Sequence, residues 1–249
     1  MAAAPDFSKD APVIRLPEID STNDEARRRA DAGERGPLWL IADKQTAGRG
    51  RYGRSWESGQ GNFAATYLFA PGLEADRCAQ LSFAVALALV DVIDGLLPDR
   101  AALKWPNDVL IGGRKVAGIL LEAGGAQTGA APAWLAIGIG INLVAAPQDV
   151  PFPATALAAH LAAPPSADEM LARLAPALNA RLSNYYVQGF GVLREAWLAR
   201  AHGLGAPIHV KLAEHSLEGV FDGLSAEGAL LLRVGAERSE IRAGEIYFE

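Results

Sequence analysis

Residues 45–56 combine flexible backbone positions with permanently charged side chains, a pattern suited to binding anions. The segment reads Gln-Thr-Ala-Gly-Arg-Gly-Arg-Tyr-Gly-Arg-Ser-Trp. The glycines, which let the backbone bend and approach a ligand closely, are Gly48, Gly50 and Gly53. The arginines, whose planar forks match carboxylate and phosphate oxygens, are Arg49, Arg51 and Arg54. We expect the loop to be mobile when empty, because its like charges repel, and to be ordered by a bound anion.

Three interpretations of this loop are open from its residues alone. Its glycines match G-x-G-x-x-G, the fingerprint of a dinucleotide site, but such a site needs a helix that begins at the glycines. Here the chain runs on through Trp56, Gly59 and Gly61 toward another predicted strand, which disfavours that interpretation. The other two are a solvated basic hairpin tip, since loops are surface elements by default, and a lid that closes over an anionic ligand.

A second group of charged side chains lies in an otherwise apolar hairpin. Gly112-Gly113 between two β-rich runs predicts a two-residue turn that places Asp108 opposite Ala117. Asp108 and Lys115 then share one face of the hairpin as diagonal neighbours, ~7–8 Å apart at the backbone. Lys104 falls on the same face if the intervening proline keeps the register. Ordinary surface salt bridges are the alternative, but charges within a buried sheet usually have a partner or a task.

Polar groups also gather at the start of the first predicted helix. Thr22 followed by Glu25 fits a capping box and predicts a helix that ends near Gly33. A well-capped helix is a sufficient explanation. The functional alternative is that Ser21, Thr22 and Asn23 present hydroxyl and amide groups beside free N–H groups, where they can bind a small polar head group.

A strand predicted at residues 134–143 is apolar on one face and nearly bare on the other. The bare face carries Ala136, Gly138, Gly140 and Asn142. Glycine in a strand marks either close approach by a ligand or tight packing against a helix, and the pattern favours neither.

Composition restricts the class of protein. The chain has 249 residues, half of them hydrophobic, which is enough for a large core and suggests one large domain with a smaller one. Its net charge of −6 gives no general basic field for nucleic acid. Cys78 is the single cysteine, and the four histidines show no metal-ligand spacing. With no signal peptide or spanning segment visible, we expect a cytoplasmic protein without nucleic-acid or membrane partners.

The predicted organisation has three parts. Residues 1–12 are expected to form a disordered lead, residues 13–203 a catalytic domain, and residues 204–249 a small C-terminal domain. The predicted helices cover 22–33, 80–97, 167–187 and 190–201. The predicted strands of the first domain include 13–16, 38–43 and 62–70. In the C-terminal domain, turn signals separate short strands that suggest a barrel; these are 208–213, 216–222, 229–234 and 239–248.

Four motifs occur in an order that resembles the biotin protein ligases (biotin–[acetyl-CoA carboxylase] ligases). They are Gly48-Arg-Gly-Arg-Tyr-Gly-Arg-Ser-Trp56, Lys104-Trp-Pro-Asn-Asp108, Lys115-Val-Ala-Gly-Ile-Leu-Leu-Glu122 and Gly138-Ile-Gly-Ile-Asn142. The resemblance covers nearly the whole chain from Val13. It implies an α+β fold: a mixed β-sheet flanked by helices, as in the class II synthetase-like catalytic domain, followed by a small SH3-like β-barrel. Some family members carry an N-terminal helix-turn-helix and repress transcription; the short segment before Val13 predicts the ligase-only form.

The resemblance implies a two-step reaction. The carboxylate of biotin attacks the α-phosphate of ATP, supplied with Mg²⁺, to give biotinyl-5′-adenylate and pyrophosphate. A lysine of a biotin carboxyl carrier protein, the acetyl-CoA carboxylase subunit, then attacks the mixed anhydride and releases AMP. Arg51 and Lys115 are suited to neutralise the carboxylate and the α-phosphate, and Asp108 to accept or orient the proton of the attacking amine. We expect the nucleotide to hold most of the magnesium, with no certain protein ligand.

The resemblance also assigns binding residues. Those implied for biotin are Ser21, Thr22, Asn23, Gln45, Gly48, Arg49, Gly50, Arg51, Lys115, Gly118 and Gly138. Those implied for the nucleotide are Arg51, Arg54, Trp56, Lys104, Asn107, Lys115 and Asn142. Lipoate–protein ligases share this catalytic fold and are the nearest enzymatic alternative, and a non-enzymatic biotin or nucleotide binder is the other. The glycine–arginine loop and the Lys-Trp-Pro-Asn-Asp hairpin favour biotin.

Overall fold

The computed structural model describes residues 5–7, 10–57, 59–125, 131–148, 150–212 and 214–248. These residues form two sheets and four α-helices. The strands of the larger sheet are β1 (Val13–Leu16), β2 (Leu38–Ala42), β3 (Phe63–Phe69), β4 (Ala101–Lys104), β5 (Asp108–Ile111), β6 (Arg114–Gly124) and β7 (Trp134–Ile141). The helices are α1 (Thr22–Asp31), α2 (Ala75–Asp94), α3 (Ala167–Gln188) and α4 (Phe190–Leu198). The strands of the smaller sheet are β8 (Pro207–Lys211), β9 (Ser216–Leu224), β10 (Leu230–Val234), β11 (Glu237–Ile241) and β12 (Glu245–Phe248).

The larger sheet is mixed, as predicted. Its strand order is β1-β2-β3-β7-β6-β5-β4, and β1 runs parallel to β2 while the other neighbours are antiparallel. Helix α2 packs on β4, β5 and β6 and is itself covered by α3 and α4. Because both sides of α2 are covered, its segment Leu81–Val90 can be apolar all round. Helix α2 begins at Ala75, earlier than predicted.

Helix α1 covers the opposite face of the larger sheet, over β2, β3 and β7. A small apolar cluster there includes Ala26, Ala30, Leu40 and Leu68. Beyond the N-terminal end of α1, the face of β7 that this helix covers carries small residues. Their small size leaves room for a cavity. No helix in the described ranges is both long and apolar enough to cross a lipid bilayer.

The smaller sheet is antiparallel, with strand order β11-β10-β9-β8-β12. The single strand predicted at 239–248 is wrong, because a bend at 242–244 separates β11 from β12. A five-stranded antiparallel sheet fits the predicted SH3-like barrel, and closure into a barrel stays a prediction.

Two attachments join the chain around Lys104 to the C-terminal part of the molecule, one on either side of that lysine. Leu103 accepts a hydrogen bond from His202 N (2.7 Å) and donates one to Arg200 O (2.8 Å) in the segment that leads to β8. The Trp105 indole N–H donates to Gly228 O between β9 and β10 (3.1 Å). The chain around Lys104 is therefore fastened to the C-terminal part of the molecule.

The N-terminal segment contacts the core through Phe7. Phe7 is buried, and its ring lies 5.7 Å from Phe69 and 5.4 Å from Tyr186, measured between ring centroids. This residue therefore departs from the disorder predicted for residues 1–12. Within that range, residues 1–4 and 8–9 lie outside the described part of the chain.

Candidate active site

A cavity of about 210 Å³ opens on the α1 side of the larger sheet. Its walls come from the loop after β2, the β5–β6 hairpin and strand β12. The lining residues that were predicted from the sequence are Ser21, Thr22, Asn23, Gln45, Arg49, Gly50, Arg51, Arg54, Trp56, Lys104, Asn107, Asp108, Lys115, Gly118, Gly138 and Asn142. Gly48 does not line the cavity; it lies buried at the base of the loop, where a β-carbon would overlap the carbonyl of Trp56.

The bare face of β7 forms the floor of the cavity. A β-carbon at Gly138 would overlap the side-chain amide of Asn23 in α1, and one at Gly140 would overlap the indole of Trp56. Both explanations left open by the sequence therefore have a counterpart here: Gly138 accommodates a helix residue, and Gly140 accommodates the loop that lines the cavity.

One end of the cavity, which we call the amide end, is formed by Ser21, Thr22, Asn23 and Gln45. The N-cap of α1 is Ser21, whose hydroxyl accepts from Asp24 N (3.4 Å). The capping box predicted from Thr22 and Glu25 is therefore wrong, because the cap is one residue earlier and Ser21 N donates to Asp20 Oδ1 (2.7 Å). Because the Ser21 oxygen accepts in this cap, its O–H hydrogen remains available to donate to a ligand.

The amide end continues into a chain of buried hydrogen bonds. The Thr22 hydroxyl lies 3.0 Å from Gln45 Oε1 and 2.8 Å from the Thr66 hydroxyl. Thr66 donates to Asn23 Oδ1 (2.6 Å), and Asn23 Nδ2 donates to Glu122 Oε2 (2.7 Å). Neither Thr66 nor Glu122 was predicted as a site residue, although Glu122 closes a recognised motif.

The glycine–arginine loop folds as a narrow hairpin against the cavity. Arg49 and Ser55 form an antiparallel bridge, and Trp56 N donates to Gly48 O (2.8 Å). Its tip, Arg51–Gly53, is a single 3-10 turn and not the start of an α-helix. The dinucleotide interpretation is therefore wrong, because its helix is missing.

Each arginine of the loop has different partners. Arg49 donates to Asp24 and Glu122 (2.9 Å each); burial opposes its charge, but these carboxylates outweigh burial and raise the pKa of Arg49. Arg54 forms an ion pair with Glu245 of β12. The self-repulsion expected of the loop is therefore reduced, because two of its arginines are compensated by carboxylates. Loop mobility stays a prediction.

Arg51 is the arginine left for an anion. It donates to Tyr52 Oη (3.0 Å) and Asn107 Oδ1 (3.4 Å), and no ion pair with a carboxylate is found for it in the described residues. Burial lowers the pKa of Arg51. A partly buried guanidinium without a carboxylate partner is favoured by the arrival of a negative charge.

The opposite end of the cavity, which we call the cationic end, is formed by Arg51, Lys104, Asp108 and Lys115. Lys115 Nζ lies 2.6 Å from Asp108 Oδ1, and Lys104 Nζ lies 3.9 Å from Asp108 Oδ2. The predicted meeting of these three side chains is thus observed. The register is not as predicted, because a bulge in β6 places Asp108 opposite Gly118 and not Ala117.

Two aromatic rings that the sequence did not indicate surround Lys104. Its ammonium lies 3.6 Å from the ring centroid of Phe152 and 5.6 Å from that of Tyr247 in β12. Burial lowers the pKa of Lys104 to about 8, although Asp108 opposes that change. Nothing in the spacing of β12 tied Glu245 or Tyr247 to this site; only the fold brings that strand to the cavity.

Trp56 and Asn142 have polar atoms that lack partners. The Trp56 indole nitrogen and Asn142 Oδ1 are buried without a hydrogen-bond partner in the described part of the chain. Asn142 Nδ2 donates to Thr155 O (3.1 Å), which fixes its amide orientation. No group of three metal-ligating side chains is found among the described residues. The two unpaired polar atoms are available to a ligand in the cavity.

Comparisons with known proteins agree with this geometry. Residues 16–142 match the biotin/lipoate A/B protein ligase family, and residues 203–249 match the biotin protein ligase C-terminal domain. A biotin–[acetyl-CoA-carboxylase] ligase of Paracoccus denitrificans is 43% identical, over 94% of this chain and 99% of its own length. The bifunctional ligase/repressor BirA of Escherichia coli K12 is 31% identical, over 94% of this chain and 73% of its own. The Aquifex aeolicus biotin protein ligase solved with biotin and ATP superposes with a TM-score of 0.81 at 28% identity, over 95% of this chain and 97% of that one.

Proposed function

Because this chain belongs to the biotin/lipoate A/B protein ligase family and carries the C-terminal domain of the biotin protein ligases, we propose that its cavity carries out both steps of protein biotinylation. ATP activates biotin as biotinyl-5′-AMP, and the biotinyl group passes to a lysine of the biotin carboxyl carrier protein of acetyl-CoA carboxylase. The observation that carries this proposal is one cavity with an uncharged hydrogen-bonding end and a cationic end. Biotin has the matching pair of features, a neutral ureido ring and a carboxylate.

In the first step the main obstacle is repulsion between two anions. A carboxylate oxygen of biotin attacks the α-phosphorus of ATP, a P–O bond forms, and pyrophosphate leaves. Arg51 and Lys115 neutralise the carboxylate and the α-phosphate, and Lys104 adds a third positive charge nearby. Charges already in place cost no reorganisation as the transition state forms, so they lower its energy more than those of the separate reactants. Alignment of the two reactants contributes further.

In the second step the carrier lysine must attack as a neutral amine. Its nitrogen attacks the acyl carbon of the adenylate, the C–O bond to AMP breaks, and the amine proton is lost. Asp108 is the carboxylate placed to accept or orient that proton, at 2.6 Å from Lys115 Nζ. Lys115, on the other side of this contact, stabilises the departing AMP.

The nucleotide occupies the cationic end in this proposal. Trp56 covers the adenine side, with its indole N–H free for a ligand, and Asn142 offers the unpaired Oδ1. Asn107 and Arg54 complete the nucleotide contacts. Mg²⁺ enters with ATP as part of the substrate, and its phosphates hold it, since the described residues form no carboxylate cluster for it.

The proposal includes the setting of the reaction. The catalytic unit comprises residues 13–203 and the C-terminal unit residues 204–249, and β12 of the latter supplies Glu245 and Tyr247 to the cavity. We place the reaction in the cytoplasm, where ATP and the carboxylase carrier are available.

ATP–pyrophosphate exchange, measured separately with biotin and with lipoate, tests the proposal. We expect exchange that depends on biotin, followed by transfer of biotin to a carrier protein. Exchange with lipoate but not with biotin would identify a lipoate ligase. Binding of biotin with no exchange in the presence of MgATP would identify a non-enzymatic binder.

A further inference from the structure

We infer that Glu122 is a positioning residue that sets the direction of the hydrogen bonds at the amide end, so that the Thr22 hydroxyl presents a lone pair to the ligand. This inference rests on the proposed function and assigns a role to a side chain that lies behind Asn23 as seen from the cavity. It follows from counting donors and acceptors along one chain of contacts.

The chain of contacts is fixed as an acceptor at each end. An ionised carboxylate can only accept, so Asn23 must turn its Nδ2 toward Glu122 (2.7 Å) and its Oδ1 toward Thr66. At the other end, the backbone N–H of Thr22 donates to Gln45 Oε1 (2.8 Å), which makes that atom an acceptor too. Both terminal amides are therefore held with their oxygens toward the two hydroxyls.

The two hydroxyls between these acceptors have two hydrogens for three contacts. Thr66 lies 2.6 Å from Asn23 Oδ1, the hydroxyls lie 2.8 Å apart, and Thr22 lies 3.0 Å from Gln45 Oε1. Both hydrogens are used inside the chain, because Thr66 donates to Asn23 Oδ1, the shortest contact, and Thr22 donates to Gln45 Oε1. The Thr22 hydroxyl is left with a lone pair for a ligand N–H, such as that of a ureido group, while Ser21 retains a hydrogen to donate.

Glu122 is itself held from a second side. Arg49 donates to both of its carboxylate oxygens (2.9 Å each), and the same guanidinium nitrogen donates to Asp24 Oδ1 (2.9 Å). Gly138 confines Asn23 from below, since a β-carbon there would overlap Asn23 Oδ1. Leu120 O lies 3.4 Å from Asn23 Nδ2 as a second, weaker acceptor. The Asn23 amide therefore lies between these acceptors and a packed strand, and Glu122, at 2.7 Å, is the stronger acceptor of the two.

Replacing Glu122 with glutamine separates polarity from shape. Glutamine has the same size but carries an NH₂ group, which can donate to Asn23 and permits its amide to reverse. The Thr66 hydroxyl then donates to Thr22 instead of Asn23, which occupies one lone pair of the Thr22 oxygen and weakens its acceptance of a hydrogen bond from the ligand. We expect Glu122→Gln to raise the Kd and KM for biotin about tenfold, with kcat and the KM for ATP within about twofold of wild type.

Asp24→Asn is the matched control, because it removes a carboxylate from Arg49 while leaving the Asn23–Glu122 hydrogen bond intact. We expect its Kd for biotin to change less than about threefold. Kd is measured by titration calorimetry with biotin alone, and kinetic constants by pyrophosphate exchange, on variants whose melting temperature and circular dichroism match wild type.

Three results would overturn the inference. A Glu122→Gln enzyme with wild-type affinity for biotin removes Glu122 from recognition. An equal loss of affinity in Asp24→Asn assigns the effect to Arg49 and the loop. A parallel rise in the KM for ATP in Glu122→Gln would show that Glu122 stabilises the whole site and not biotin recognition in particular. Failure of the proposed function itself looks different, because wild type would then show no biotin-dependent exchange at all.

Discussion

The two ends of the cavity treat charge in opposite ways. At the amide end, the charge of Arg49 is compensated by Asp24 and Glu122, and the side chains form hydrogen bonds with one another. At the cationic end, Arg51, Lys104 and Lys115 lie around the carboxylate of Asp108. A compensated network suits a neutral ring, whereas an excess of cations suits two anions that must react. The charge balance of each end therefore indicates which part of the substrates it binds.

Lys115→Ala is expected to have the largest effect, because it removes a charge that opposes both reacting anions. Pyrophosphate exchange should slow about 10²–10³-fold, the usual loss for one electrostatic group of this kind. Calorimetry should show biotin binding retained through the amide end. The exposed Lys211→Ala on β8 serves as the charge-matched control. Wild-type exchange in Lys115→Ala would remove this lysine from the mechanism.

Arg51→Gly should come next, because Arg51 is the loop arginine without a carboxylate partner in the described structure. We expect the loop to be mobile when empty and ordered over the adenylate, where Arg51 both neutralises phosphate and holds the loop closed over the hydrolysable anhydride. Adenylate release and labelling of bystander lysines should rise at least about tenfold.

Arg54→Gly provides the comparison for Arg51→Gly. Because Arg54 already pairs with Glu245, we expect Arg54→Gly to release adenylate more slowly than Arg51→Gly does. Hydrogen exchange of residues 48–56 with and without adenylate tests the ordering directly. Equal protection in both states, or unchanged release in Arg51→Gly, would show that the loop is a static anion site.

The floor glycines allow the two ends to be perturbed by the same small change. Gly138→Ala should displace Asn23 and raise the KM for biotin about tenfold. Gly140→Ala, two residues along the same strand, should displace Trp56 and raise the KM for ATP by a similar factor. The comparison between the ends breaks down if both variants weaken the same substrate.

Lys104 predicts a pH dependence confined to the cationic end. Because its pKa is about 8, its positive charge disappears as the pH rises through that value, and kcat/KM for ATP should fall several-fold. Equilibrium binding of biotin should not follow this change. Lys104→Arg, which keeps its charge, should remove the dependence. A pH profile for Lys104→Arg that matches wild type would assign the titration to another group.

The same group has the opposite effect on folding. The pKa of Lys104 is lower in the folded protein than the ordinary value of 10.5, so the unfolded state holds more protons between about pH 8 and 10.5. Its contribution to the free energy of unfolding therefore rises across that window. Urea denaturation of wild type and Lys104→Arg across this range measures the difference.

The smallest effect is expected at the Arg54–Glu245 ion pair. Both side chains are partly exposed, so reversing either charge should slow exchange only about threefold. The double reversal, Arg54→Glu with Glu245→Arg, should recover most of that loss. Single reversals without effect, or a double variant no better than either single one, would show that this contact between the loop and β12 does not influence closure.

Local patterns predicted those parts of the site that lie close in the chain. The turn at Gly112-Gly113 was sufficient to bring Asp108 and Lys115 together, although the bulge that shifts their register leaves no mark in the residue types. A helix that starts near Thr22, and the small residues of β7, were visible in the same way, although the N-cap is Ser21. These features depend on spacing within one element or one hairpin.

Contacts between distant segments were not predicted. Arg49 resembled Arg51 in the sequence. Only the fold shows that the Arg49 guanidinium forms ion pairs with Asp24 and Glu122. Tyr247 reaches Lys104 because the smaller sheet packs against the larger one, and a strand motif carries no record of that packing. Charged residues of one motif can thus differ in whether they are available to bind a ligand, because their partners come from distant parts of the chain.

The attachments on either side of Lys104 have a consequence for heat tolerance. Leu103 is bonded to residues 200 and 202, in the segment that leads to β8, and Trp105 is bonded to Gly228 between β9 and β10. Because α2 and the smaller sheet contribute to one hydrophobic cluster, heat that loosens the smaller sheet would also open the core beside α2. Loss of adenylation on heating would then coincide with the main melting transition.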